Sequence, residues 1–134
     1  MIKGTTAQFK FKIPYTKEEL DWVTIKFWQP NNNHPYLPIT KKLEHCDSPE
    51  GSKELRVSLT VDETMRFSEK YKAKVQLRGR HSDSGTIFGS KPRLITVYPM
   101  RDDIVGDDPE LPVVDPEGWV ILDGKTIVVT DGDQ

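Results

Sequence analysis

The chain has 134 residues, 35% of them apolar and 30% charged, with a formal net charge of −2. That length and composition fit one domain with a modest core plus an appendage. A single cysteine, Cys46, excludes an internal disulfide framework and is compatible with synthesis in the cytosol, and no apolar run approaches the length of a membrane span or a signal segment.

The first element is TAQFKFKIP, where Ala7, Phe9, Phe11 and Ile13 alternate with Gln8, Lys10 and Lys12. Period two predicts a strand with one face in the core and a lysine-rich face in water, and the lysines suit a sheet edge. YTKEELD then predicts a turn or a single helical turn. In WVTIKFWQ, Val23, Ile25 and Phe27 face one way and Trp22, Thr24, Lys26 and Trp28 the other. PNNNHPYLP, residues 30–38, predicts a loop. ITKKLEH predicts a return strand with Ile39 and Leu43 partly buried, and DSPEGS a second turn.

ELRVSLT places Leu55, Val57 and Leu59 inward. Thr60 and Glu63 have capping-box spacing, which predicts a short helical turn crossing between sheets, with Met65 and Phe67 on the core. KAKVQLRGR places Ala73, Val75 and Leu77 inward, HSDSGTIFGS reads as a flexible turn, and KPRLITVYP supplies the last strand of the body. The result is six or seven short strands without a long helical period, which predicts an all-β, antiparallel β-sandwich of immunoglobulin-like architecture over residues 1–100. Residues 101–118 read as an extended acidic, proline-punctuated linker. Residues 119–134 read as a C-terminal β-hairpin arm, with Asp123-Gly124 as a type I′ turn. An isolated hairpin this apolar must pack on its own body or on another chain, and a long linker favours the second.

Charge is unevenly spread. Residues 1–100 hold 17 Lys+Arg and 11 Asp+Glu; residues 101–134 hold 2 and 10, so a body of +6 carries a tail of −8. Such a chain can associate head to tail, or its tail can dock on a basic partner or stay solvated.

No catalytic, cofactor or metal site emerges, and the expectation is a protein that is not an enzyme. His34, His45, His81 and Cys46 lack zinc-ligand spacing. Asp102, Asp103, Asp107 and Asp108 lack the pattern of a calcium loop. Ser82, Ser84 and Ser90 flank His81 in a Gly-rich turn with no buried acid to orient the imidazole. Lys10, Lys12, Lys26, Lys72, Lys74, Arg78 and Arg80, with Trp22 and Trp28 among them, offer a basic face for a nucleic acid, but a pI near 5.9 weighs against one. Trp22, Trp28, Tyr36 and Asn31–Asn33 could form a sugar platform, although outward tryptophans more often mark a subunit interface. The candidate partner-binding residues are Trp22, Trp28, Trp119, Ile121, Ile127 and Val129.

The opening MIKGTTAQFKFKIP resembles the MIRGTTPT-F-F-LP start of small proteins encoded in phages and prophages of Firmicutes. The likeness continues through VTIKFWQ, VSLTVDETMRF, AKVQLRGR, SGTIFGSK and TVYPMRDDIV, covering residues 1–105, with Ala7 where the family often has proline. The resemblance implies a virion structural protein of the tail or baseplate, made in the bacterial host cytoplasm and working beside other virion proteins in a symmetric assembly. In general style it is also similar to the N-terminal β-sandwich of upper baseplate proteins. It implies no catalytic residues, and residues 106–134 fall outside it.

Overall fold

The computed structural model of the chain describes residues 1–99, 113–114, 120–121 and 127–128. Seven strands make the body: β1 (Ala7–Lys12), β2 (Leu20–Trp28), β3 (Ile39–Lys42), β4 (Glu54–Leu59), β5 (Ala73–His81), β6 (Ile87–Gly89) and β7 (Arg93–Ile95). Among the described residues, three two-residue strands follow: β8 (Val113–Val114), β9 (Val120–Ile121) and β10 (Ile127–Val128). Helix is confined, among the described residues, to α1 (Val61–Met65) and 3-10 turns at Lys17–Glu19 and Leu43–His45. The chain is therefore all-β, in two largely antiparallel sheets.

In the first sheet β4 pairs antiparallel with β1, from Ala7 opposite Leu59 to Lys12 opposite Glu54. In the second, β2 lies between β3 and β5, and the far edge of β5 takes both β6 and β7. The period-two rows decide which faces meet. Phe9 and Phe11 of β1 and Leu55, Val57 and Leu59 of β4 are buried, as are Val23, Ile25 and Phe27 of β2 and Val75 and Leu77 of β5. These residues form one apolar cluster, and the Phe9 and Phe27 rings lie 5.1 Å apart within it.

The segment after β4 crosses over as its spacing predicts. Glu63 N donates to Thr60 Oγ1 at 3.2 Å, and Thr60 N donates to Glu63 Oε1 at 2.9 Å, so the capping box closes in both directions. Glu63 also accepts from Lys41 Nζ at 2.9 Å, which ties α1 to β3. Burial by itself would raise the Glu63 carboxyl, but the Thr60 amide and the Lys41 ammonium outweigh it and hold the pKa below 4.5. Phe67 is buried as expected, whereas Met65 is 44% exposed. A helix of five residues has only one inward face, and the buried Thr64 occupies it, donating to Thr5 O at 2.8 Å. Gln29 fastens the next turn: its Nε2 donates to Ser68 O and Tyr71 O, and its Oε1 accepts from Ser68 N and Asn32 Nδ2, all at 2.6–2.7 Å.

Two expectations change. HSDSGTIFGS is not only a turn: it contains β6, paired with β5 at Arg78–Arg80, and Phe88 is fully buried. Phe88 finds its place because Gly79 has no side chain. A Cβ there would sit 2.5 Å from Phe88 Cζ and 3.0 Å from Val23 Cγ2. The second change concerns the arm. β9 and β10 each pair with β1, both in parallel, with Phe9 opposite Val120 and Phe11 opposite Ile127. Two strands parallel to the same strand run in the same direction, so at these positions they are not the two antiparallel legs of a hairpin. The antiparallel partner of β9 is β8, with Val113 opposite Ile121. The Asp123-Gly124 turn lies outside the described residues, as does most of the 101–118 linker.

Gly79→Ala should destabilise the fold by about 1–3 kcal/mol through overpacking against Phe88, read as a lower urea midpoint at unchanged slope. Glu63→Gln should cost about 1 kcal/mol at neutral pH by replacing charge-assisted bonds with neutral ones. Because the folded Glu63 pKa is depressed, its contribution is present above 4.5 and is lost as pH falls through the folded value. The wild type should therefore lose stability on acidification more steeply than Glu63→Gln, and parallel acid-unfolding curves would contradict this account.

Candidate interaction surface

The antiparallel register of the second sheet gathers its outward residues into rows. Trp22 lies opposite Arg80 and Thr24 opposite Arg78, while Lys26 lies opposite Gln76 and Trp28 opposite Lys74. On one flank Lys42 pairs with Thr24 and Thr40 with Lys26. On the other, Ile87 pairs with Arg80 and Leu94 with Lys74. This face looks away from the shared core, because Val23, Ile25 and Phe27 between the outward residues all point inward.

Trp22 is 36% exposed and stands between two open recesses. One, of about 590 Å³, is lined by Lys17, Asp21, Trp22, Val23, Thr24, Lys42, Leu43 and Glu44. The other, of about 350 Å³, is lined by Trp22, Thr24, Lys26, Gln76 and Arg78, which supply two cations and no carboxylate. Trp28 is half-buried, with Lys26 Nζ 5.6 Å from the ring centroid. Arg80 pairs with Asp21 at the edge of the face. No ion pair among the described residues involves Lys26, Lys42, Lys74 or Arg78.

Trp22, Trp28 and Tyr36 do not make one platform. Six residues of β-strand place Trp22 and Trp28 roughly 20 Å apart. Tyr36 belongs to the 30–38 loop, where Arg66 stacks over its ring at 5.5 Å. Asn32 turns toward the protein, donating to Gln29 Oε1 and Arg66 O, so the asparagine run is at least partly a loop brace. Of the arm residues, Ile121 and Ile127 fall in β9 and β10, while Trp119 and Val129 lie outside the described residues. The exposed Ile87 and Leu94 belong to the outward face, and sequence reasoning missed Ile87 because it read 81–90 as a turn.

His81 gathers more partners than its sequence neighbours suggested. Its Nδ1 is 2.8 Å from Ser84 Oγ, its Nε2 is 3.4 Å from Glu19 Oε2, and its ring stacks on Tyr15 at 4.1 Å. Glu19 comes from the 3-10 turn before β2 and is a half-exposed partner, not a buried acid. Ser84 also bonds Thr86 Oγ1 at 2.8 Å, and Ser84 N donates to His81 Nδ1 at 3.3 Å. These contacts brace the turn before β6. Ser90 stands apart, buried, with its Oγ accepting from Leu77 N at 3.1 Å as a link in the β5 ladder. No group of three or more metal-ligating side chains occurs among the described residues, and no helix among them is long and apolar enough to cross a membrane.

Cys46 is buried, and its Sγ donates to Lys42 O at 3.4 Å. Burial pushes its pKa up to about 11, against the smaller pull of Lys17.

Compared with protein-family models, curated proteins and solved structures, the chain finds no match.

A thiol at about 11 rather than 9.0 is about a hundredfold less ionised at mildly alkaline pH. Iodoacetamide should therefore label native Cys46 at least about a hundredfold more slowly than it labels the denatured chain, and comparable rates would show that the site opens readily.

Proposed function

We propose that this chain is a phage virion structural protein, a tail or baseplate adaptor with an immunoglobulin-like β-sandwich body that docks on neighbouring subunits through its C-terminal arm. The virion assignment rests on the resemblance of residues 1–105 to small Firmicutes phage proteins. The observation that carries the docking mechanism is the far edge of β1. That edge takes β9 and β10, two residues long apiece, as added strands paired in parallel. Backbone pairing does not distinguish a chain's own segment from the same segment of a neighbour, so the edge that accepts the arm in one copy accepts it equally between copies. Once bodies are held together, each arm contact becomes intramolecular and adds avidity. The protein in this reading is not an enzyme, needs no cofactor, and is made in the host cytoplasm before joining the particle.

A second reading is a surface decoration or carbohydrate-binding module of the virion. Trp22 favours it, as an open aromatic shelf with a recess on each side. Glycan binding that disappears with Trp22→Ala while the fold persists would move the function to this face.

Light scattering over a concentration series should show a defined oligomer for the full chain and a folded monomer for the 1–105 truncation. Val120→Pro in the full chain should weaken the oligomer in the same direction, because proline removes the N–H that a strand needs. Normal assembly by both variants would end the docking-arm reading.

A further inference from the structure

We propose that the outward face of the second sheet receives the acidic segment of a second copy of this chain, residues 102–117. The inference rests on the docking-arm reading and names the surface on which the acidic part of the arm lands. Lys26, Lys42, Lys74 and Arg78 project from adjacent strands of one face, and no ion pair among the described residues neutralises them. Trp22, Ile87 and Leu94 are exposed among these cations, at 36%, 39% and 50%. A matching ligand is anionic, carries apolar side chains and is long enough to cross several strands.

Residues 102–117 meet those requirements. They hold seven acidic residues (Asp102, Asp103, Asp107, Asp108, Glu110, Asp115 and Glu117) and no basic one. Ile104, Val105 and Leu111 lie among them, and Pro109, Pro112 and Pro116 favour extended backbone. The second copy is preferred as donor for a topological reason. In the same chain, β8 near the end of this segment and the strands after it are hydrogen-bonded in the sheet of β1, on the other side of the core from the cationic face. A free polyanion such as single-stranded DNA is disfavoured, because every copy brings a tail of −8 that competes for the same cations at high local concentration.

Exposed ion pairs contribute little singly and are screened by salt, so the contact should be weak, cooperative and salt-sensitive. The test uses three full-length chains: wild type, Lys26→Glu/Arg78→Glu, and Asp107→Lys/Asp108→Lys/Glu110→Lys. Circular dichroism verifies that each is folded. Sedimentation velocity at low and high salt should show wild-type self-association that falls about tenfold or more in affinity in either variant. An equimolar mixture of the two variants should associate again, because complementary charges are restored. Wild-type chains that stay monomeric at every concentration would overturn the proposal. Self-association lost in the 1–105 truncation but unchanged in Lys26→Glu/Arg78→Glu would overturn this face while leaving the docking arm standing. Self-association unchanged in both would remove the two together. Tight oligothymidylate binding by the wild type, abolished in Lys26→Glu/Arg78→Glu while self-association persists, would assign the face to nucleic acid instead.

Discussion

The contact between the inward rows of β1 and β2, centred on Phe9 and Phe27, is what the rest of the molecule depends on. Each strand is amphipathic with period two, so neither buries its apolar row alone. When the two rows meet, the other faces are fixed as well: Lys10 and Lys12 must point out from one sheet, and Trp22, Lys26 and Trp28 from the other. A slip of one residue in either strand would exchange these sets and put lysines into the core. The cationic face is thus a geometric consequence of packing phenylalanines on the opposite side of the same strands.

Polar side chains then close the ends of the apolar layer where the chain changes direction. Gln29 uses both donors and its acceptor oxygen to hold the turn after α1, while Glu63 serves the helix cap and Lys41 together. At the opposite end of the body's sequence, Met1 is buried, and its amine donates to Thr96 O at 2.9 Å. Burial lowers that amine from 8.0 to about 5, so it sits neutral beside its carbonyl partner near pH 7. Ile2 and Tyr98 bridge in parallel beside it, which joins the first and last segments of the body. These groups are buried but paired, and no buried side-chain nitrogen or oxygen among the described residues is left without a partner.

The surface that results offers two chemically different kinds of contact. The edge of β1 offers backbone groups and accepts short parallel strands. The outward face of β2 and β5 offers cations, an indole and aliphatic side chains, a contact that depends on side-chain identity throughout. In the proposed docking between copies, pairing would supply geometry and charge would supply selectivity.

Much of this was legible in the residues. Alternation marked β1, β2, β4 and β5 because each spans six to nine residues, long enough for period two to register. Thr60 and Glu63 announced α1 because a capping box is a local device that uses only its own backbone. β6 escaped because three residues carry no period, and Phe88 is buried only because Gly79 on a neighbouring strand makes room for its ring. Glu19 escaped as a partner of His81 because 62 positions separate them and only the pairing of β2 with β5 closes that distance. The direction of β9 and β10 escaped for a similar reason. Asp123-Gly124 is a sound local hairpin signal, but the hydrogen bonds of β1's free edge are long-range and compete with it. The sequence by itself therefore determined the strand-rich class, the inward rows, the helix cap and the split between a basic body and an acidic tail, all set by local chemistry or composition. Tertiary structure alone decided which strand neighbours which, where the short strands pair and which cations share a face, because those depend on backbone partners that no local pattern encodes.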